Sequence, residues 1–160
     1  MNDNLPALVR RATVDDVNDI FRLTNDMAAK GLMLPRSKYR IITSLNNFMV
    51  AEISGNTGSV IAGCGAFVLL WTDMGEIMSL AVAEEYRNRG LGSLLVQALI
   101  DEGRRLKVPE IITLTYQVDF FKAHGFAAED KDKFPRKLWR ECLECPKLEQ
   151  CDETAMHLMV

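Results

Sequence analysis

The stretch SLAVAEEYRNRGLGSLL, residues 79–95, runs from an apolar strand-like segment through a polar loop into the start of a leucine-rich helix. A succession of this kind can make an anion site. Gly90 and Gly92 let the backbone come close to a ligand, and the N–H groups and partial positive charge at a helix N-terminus favour phosphate. Arg87 and Arg89 put full charges beside them. The spacing is neither GxxxxGKS/T nor GxGxxG, so loops for a nucleoside triphosphate or a dinucleotide do not fit. The other reading of RNRG is an ordinary solvated loop that turns at a glycine.

On the C-terminal side, Leu91, Leu94, Leu95, Ala98, Leu99 and Leu106 mark a long amphipathic helix, and Pro109 separates it from a strand over Ile111 to Thr115. Val118 to His124 fits a short helix ended by Gly125, and MHLMV is a terminal strand. On the N-terminal side, Phe48 to Ile53 and Val60 to Leu70 are β-rich runs joined by SGNTGS, which predicts an antiparallel hairpin, and Glu76 to Val82 predicts a third strand. Nearer the start, Leu8 to Arg10 forms a strand, and Thr13 with Asp16 makes an acidic variant of a capping box. The helix that follows buries Val17, Ile20, Phe21, Thr24 and Met27 and ends at Gly31; Ser37 caps a shorter one carrying Ile41, Ile42 and Leu45. This order, free of repeats, predicts a single mixed α/β domain over residues 1–160.

Composition excludes several classes. The 48% hydrophobic and 26% charged content is that of a globular chain, and a net charge of −3 offers no general attraction to nucleic acid. Arg10, Arg11, Arg36, Lys38, Arg40, Arg87 and Arg89 remain candidates for a local basic site. MNDNLPALVRRA has no apolar signal core and no run approaches the roughly 18 residues that span a bilayer, so the expectation is a cytoplasmic protein without membrane contact. In that compartment Cys64, Cys142, Cys145 and Cys151 read as thiols.

Arg87-Asn88-Arg89-Gly90-Leu91-Gly92 matches the R/Q-x-x-G-x-G/A motif of the GNAT superfamily of N-acetyltransferases, and DFFKAHGF at 119–126 resembles that superfamily's short helix and Gly-Phe ending. The resemblance implies an α/β (α+β) GNAT-like domain whose central mixed, mostly antiparallel sheet is flanked by helices. It implies acetyl-CoA as co-substrate and no metal. The backbone amides of Arg89, Gly90, Leu91, Gly92 and Ser93 would hold its pyrophosphate, and the main chain of Leu80, Ala81 and Val82 would pair with its pantetheine arm. Three further stretches, GLMLPRS (31–37), GEIMSLAV (75–82) and FPRKLWRECLECPKLEQCDETAM (134–156), resemble the short single-domain bacterial N-acetylglutamate synthases. That implies acetyl transfer to the α-amino group of L-glutamate at the start of arginine biosynthesis, in a protein that family analogy makes a homodimer.

Glutamate presents two carboxylates and one amine. Arg36, at the family's substrate-binding LxRS position, is the first candidate to grip a carboxylate through two parallel hydrogen bonds. Lys137, or Arg136, would take the second carboxylate, and Ser79 would contact the substrate. Direct attack needs a neutral amine, so a base must remove a proton from the ammonium; Glu76 could do so through a water. The tyrosine that many superfamily members use to protonate the leaving thiolate is replaced by Phe121, which leaves Tyr116 as candidate acid. A backbone N–H near Leu80 would hold the oxyanion. His124 and His157 read as structural. Cys142, Cys145 and Cys151 with His157 could be drawn as a zinc site, but only the C-x-x-C half has common ligand spacing, so free thiols are expected. Two other functions share these features: acetylation of a different amine, and acyl-CoA sensing without turnover.

Overall fold

The computed structural model describes residues 6–134, 145, 147 and 150–160. Its elements are β1 (Ala7–Arg11), α1 (Val17–Ala29), α2 (Lys38–Thr43), β2 (Phe48–Gly55), β3 (Gly58–Trp71), β4 (Met74–Val82), α3 (Leu91–Arg105), β5 (Glu110–Thr115), α4 (Val118–Lys122), β6 (Ala127–Glu129) and β7 (Thr154–Met159). The strands form one seven-stranded sheet in the order β1-β2-β3-β4-β5-β7-β6. The β1–β2, β2–β3, β5–β7 and β6–β7 pairs are antiparallel and the β4–β5 pair is parallel, so the sheet is mixed and mostly antiparallel, as expected. Contacts divide the chain into two compact units, Met1–Ala66 with Ser79–Leu99 and Phe67–Met78 with Ile100–Val160.

In the first unit, β2 and β3 form the expected hairpin, with Gly55 opposite Gly58 across the turn residues Asn56 and Thr57. The Thr13 N–H donates to Asp16 Oδ2 at 2.7 Å, which ties the chain down just before α1. The buried row of α1 is Val17, Ile20, Leu23 and Thr24, whereas Phe21 and Met27 are only half-buried. Ser37 Oγ accepts the Arg40 N–H at 3.1 Å and caps α2. Ile41 is fully buried there, but Ile42 is 54% exposed, because a helix of six residues packs a single row. On α3 the same geometry buries Leu91, Leu95, Val96 and Leu99 and leaves Leu94 outside.

Two glycines of β3 set how closely α3 lies. A Cβ added at Gly63 would stand 3.0 Å from Leu95 Cδ1, and one added at Gly65 would stand 2.8 Å from Leu99 Cδ1. The two leucines, one helical turn apart, thus rest directly on bare strand backbone. Each is fully buried, and truncating either to alanine would cost about 2–5 kcal/mol.

In the second unit, β4 and β5 pair over Met74–Glu76 and Glu110–Ile112, and beyond this ladder Thr113 Oγ1 donates to the Ile77 carbonyl at 2.9 Å. β7 pairs with β5 on one side and with the three-residue β6 on the other, a strand too short to announce itself in the sequence. Met74, Ile112, Phe134 and Ala155 pack into one cluster. On α4, Phe121 is buried and meets Phe126 edge-on at 5.2 Å between centroids. Among the described residues no helix is long and apolar enough to cross a membrane.

Candidate functional site

After β4 the chain makes a 3-10 turn over Glu84–Tyr86, anchored by the Ala83 N–H donating to the Ala62 carbonyl at 2.8 Å. Asn88 (φ 61°) and Gly90 (φ 81°) are then both left-handed, which coils the backbone around Arg89. Leu94 N–H donates to the Gly90 carbonyl at 3.1 Å, so Gly90 caps α3. The N–H groups of the first turn, at Leu91, Gly92 and Ser93, have no carbonyl four residues back within the helix and point out of its end. A Cβ on Gly90 would meet nothing within 4 Å, so the backbone here faces open space. A left-handed bend feeding a helix start is an anion-binding concavity, and these residues fit a pyrophosphate.

The two arginines of the loop are both held. Arg87 Nε donates to the Val82 carbonyl at 3.1 Å and its Nη2 lies 3.3 Å from Met27 Sδ. The Arg89 guanidinium lies over the Tyr86 ring, 5.7 Å from its centroid. Val82 is the last residue of the strand expected to pair with a pantetheine arm, so Arg87 braces the junction of strand and loop.

Arg36 and Ser79, distant in sequence, are brought together. Arg36 Nε donates to Ser79 Oγ at 2.8 Å. Ser79 is itself left-handed (φ 54°), a conformation that costs a non-glycine residue about 1–2 kcal/mol and that turns its hydroxyl to this position. Its carbonyl accepts the Cys64 thiol at 3.6 Å. Cys64 is fully buried between the two glycines of β3, and burial pushes its thiol up to about 12, so it stays protonated and donates. The Arg36 backbone is held by Asn25 of α1: Nδ2 donates to the Arg36 carbonyl at 2.9 Å and Oδ1 accepts its N–H at 3.3 Å. Asn25 and Cys64 did not stand out from sequence. The only hints are an asparagine in a helix interior, where it is disfavoured, and a cysteine flanked by glycines.

In the second unit Glu76 is 3% exposed, in the third position of β4 and opposite Ile112. The sequence pattern starts the strand at Glu76; β4 in fact starts two residues earlier, at Met74, so Glu76 lies inside the strand and is enclosed. Tyr116 follows β5. Its hydroxyl donates to Asp152 Oδ1 at 2.6 Å and accepts from Lys147 Nζ at 2.9 Å. The Asp152 carboxylate holds the phenol above its ordinary range, so at neutral pH it keeps the proton an acid must give. Lys137, Arg136 and Cys142 lie outside the described residues. Cys145 and Cys151 are free thiols, and His157 Nδ1 is engaged with Glu110 Oε1 at 2.8 Å. Among the described residues no group of three His, Cys, Asp or Glu side chains could hold a metal ion.

Comparison with known proteins agrees with this loop and sheet. An uncharacterised N-acetyltransferase of Chlorobaculum tepidum is 41% identical over 152 residues, covering 92% of this chain and 93% of that protein. An amino-acid acetyltransferase of Mycobacterium tuberculosis is 35% identical over 119 residues, 74% of this chain and 67% of that one. A crystal structure of an M. tuberculosis protein in complex with CoA superposes with a TM-score of 0.83 at 27% identity, covering 96% of this chain and 99% of that one. The sequence model of the acetyltransferase (GNAT) family matches residues 15–129, from the start of α1 through β6, and with the glycine loop and strands β2 to β6 inside that span the chain belongs to this family.

Proposed function

We propose that the chain transfers the acetyl group of acetyl-CoA to the α-amino group of L-glutamate. The observation that carries this reading is the fixed guanidinium of Arg36 on Ser79, the residue immediately before Leu80, Ala81 and Val82. A carboxylate gripped by Arg36 would lie beside the strand on which the acyl donor is expected. The named amino-acid acetyltransferase relative supports an amino acid as acceptor, and the neighbour in complex with CoA supports the donor.

The roles then divide as follows. The backbone amides of Arg89, Gly90, Leu91, Gly92 and Ser93 bind pyrophosphate, with Arg87 bracing the loop, and the main chain of Leu80–Val82 aligns the pantetheine. When bound, acetyl-CoA supplies a thioester carbonyl. Glu76 accepts a proton from the substrate ammonium through a water, the freed amine adds to the thioester carbonyl, and collapse of the resulting tetrahedral intermediate, with loss of the amine's second proton, breaks the C–S bond. Tyr116 returns a proton to the departing thiolate, and a backbone N–H near Leu80 holds the oxyanion. Lys137 takes the second carboxylate. On this reading residues 1–160 are one N-acetyltransferase domain, working in the cytoplasm at the start of arginine biosynthesis as a homodimer.

The test is CoA release with acetyl-CoA and each common amino acid, for the unsubstituted protein and for Arg36→Ala. Glutamate alone should stimulate release. Loss of two charge-assisted hydrogen bonds should raise the glutamate KM at least about 100-fold, with the acetyl-CoA KM nearly unchanged. Stimulation only by another amine, or tight acetyl-CoA binding without turnover, would sink the glutamate reading; unchanged glutamate kinetics in Arg36→Ala would remove Arg36 from the site.

A further inference from the structure

Asn25 is half-buried near the middle of α1 and its carboxamide is fully engaged. Nδ2 donates to Phe21 O of its own helix at 2.8 Å, which sets the rotation of the amide plane. The same plane then meets Arg36 from both sides, donating to its carbonyl at 2.9 Å and accepting from its N–H at 3.3 Å. This pairing imitates a neighbouring strand. It requires a donor and an acceptor on one short side chain, which asparagine provides, whereas aspartate only accepts and leucine does neither. Arg36 stands on an irregular segment between α1 and α2, just after Pro35, with no ladder of its own to place it. Its side chain is long, so a small shift of the backbone swings the guanidinium off Ser79 Oγ.

We infer that Asn25 is a positioning residue that sets affinity for the acceptor's carboxylate by holding the Arg36 backbone while Ser79 orients the guanidinium. The inference rests on the proposal that Arg36 binds that carboxylate. It ties acceptor recognition to α1, an element with no expected contact to either substrate.

The experiment compares Asn25→Asp, Arg36→Ala and the double variant in the same CoA-release assay, using whichever α-amino acid the unsubstituted protein turns over best. Asn25→Asp keeps the shape but sets a carboxylate against two carbonyl oxygens. Losing the donated bond to the Arg36 carbonyl, with two acceptors now facing each other, should raise the acceptor KM about tenfold, with kcat and the acetyl-CoA KM within about twofold. In the Arg36→Ala background the substitution should add nothing to the acceptor KM, which a merely structural role would not produce. If Asn25→Asp does not fold, Asn25→Ala, which loses both bonds to Arg36 without adding charge, is read identically. An unchanged acceptor KM, equal losses for both substrates, or effects that add in the double variant each overturn the inference. A best acceptor other than glutamate overturns the glutamate reading while the Asn25 comparison is still scored on that acceptor; turnover on no α-amino acid overturns both.

Discussion

Replacing Asp16 by asparagine tests how the start of α1, and with it Asn25, is anchored. Asp16 is 3% exposed and accepts from Arg10 Nη1 at 2.7 Å, Arg10 Nη2 at 3.0 Å and the Thr13 N–H at 2.7 Å. Asparagine keeps one acceptor and turns an NH2 toward groups that are all donors. A hydrogen bond to a charged group contributes about 1.5–3 kcal/mol, but Arg10 is about a third exposed and keeps Glu52 at 2.7 Å, so solvent and the second carboxylate recover part of the loss. The net destabilisation should be about 2–3 kcal/mol, or roughly 5–10 °C in Tm for a chain of this size. Its pH dependence has a definite sign. The Arg10 hydrogen bonds hold the Asp16 carboxyl below its ordinary range, so the ionised form stabilises the fold at neutral pH. That contribution starts to fade as pH falls below the unfolded value of about 3.9 and is gone only below the depressed folded value. Urea unfolding at a series of pH values down to the acid limit of folding measures both effects. A difference under about 0.5 kcal/mol at pH 7, the scatter of neutral surface changes, would refute the reasoning, as would a gap that widens on acidification.

Gly90→Ala should leave the fold standing at a cost of about 1–2 kcal/mol, since the left-handed φ of 81° is strained with a Cβ although nothing lies within 4 Å of it. The new methyl would occupy the open space assigned to pyrophosphate, so the acetyl-CoA KM should rise at least about fivefold while the acceptor KM holds; titration of CoA by calorimetry checks the same point. Cys64 should resist maleimide in the native state because its thiol is fully buried and pushed up to about 12, whereas the half-buried Cys145 and Cys151 label readily. Mass spectrometry before and after unfolding distinguishes them, and native labelling of Cys64 at the rate of Cys151 would contradict the buried placement.

Much of the fold is legible because its signals are local. The hairpin turn, the Ser37 cap and the leucine row of α3 each announce themselves within a few residues, and the glycine loop falls between the strand and helix its motif requires. What escapes the sequence is pairing across long separations. Nothing near Glu76 says that it lies enclosed within β4, nothing near Arg36 names Asn25 or Ser79, and the left-handed backbone of Ser79 has no glycine to betray it. Ile42 and Leu94 look like core residues by spacing; their exposure follows from how wide a face each helix offers its neighbours. β6 has three residues, too few for a period to show.

The bare backbone of β3 at Gly63 and Gly65 has a consequence for anyone wishing to transplant this loop. Leu95 and Leu99 sit directly on those glycines, so the strand governs the height at which the first turn of α3, and the amides it presents, is carried. A donor loop moved into a host whose equivalent strand bears alanine or valine would be lifted by a fraction of an ångström to an ångström or so, about the thickness of a methyl group. The transferable module is therefore the discontinuous set of strand glycines, helix leucines and loop, and a contiguous copy of residues 87–93 would carry the motif without its reach.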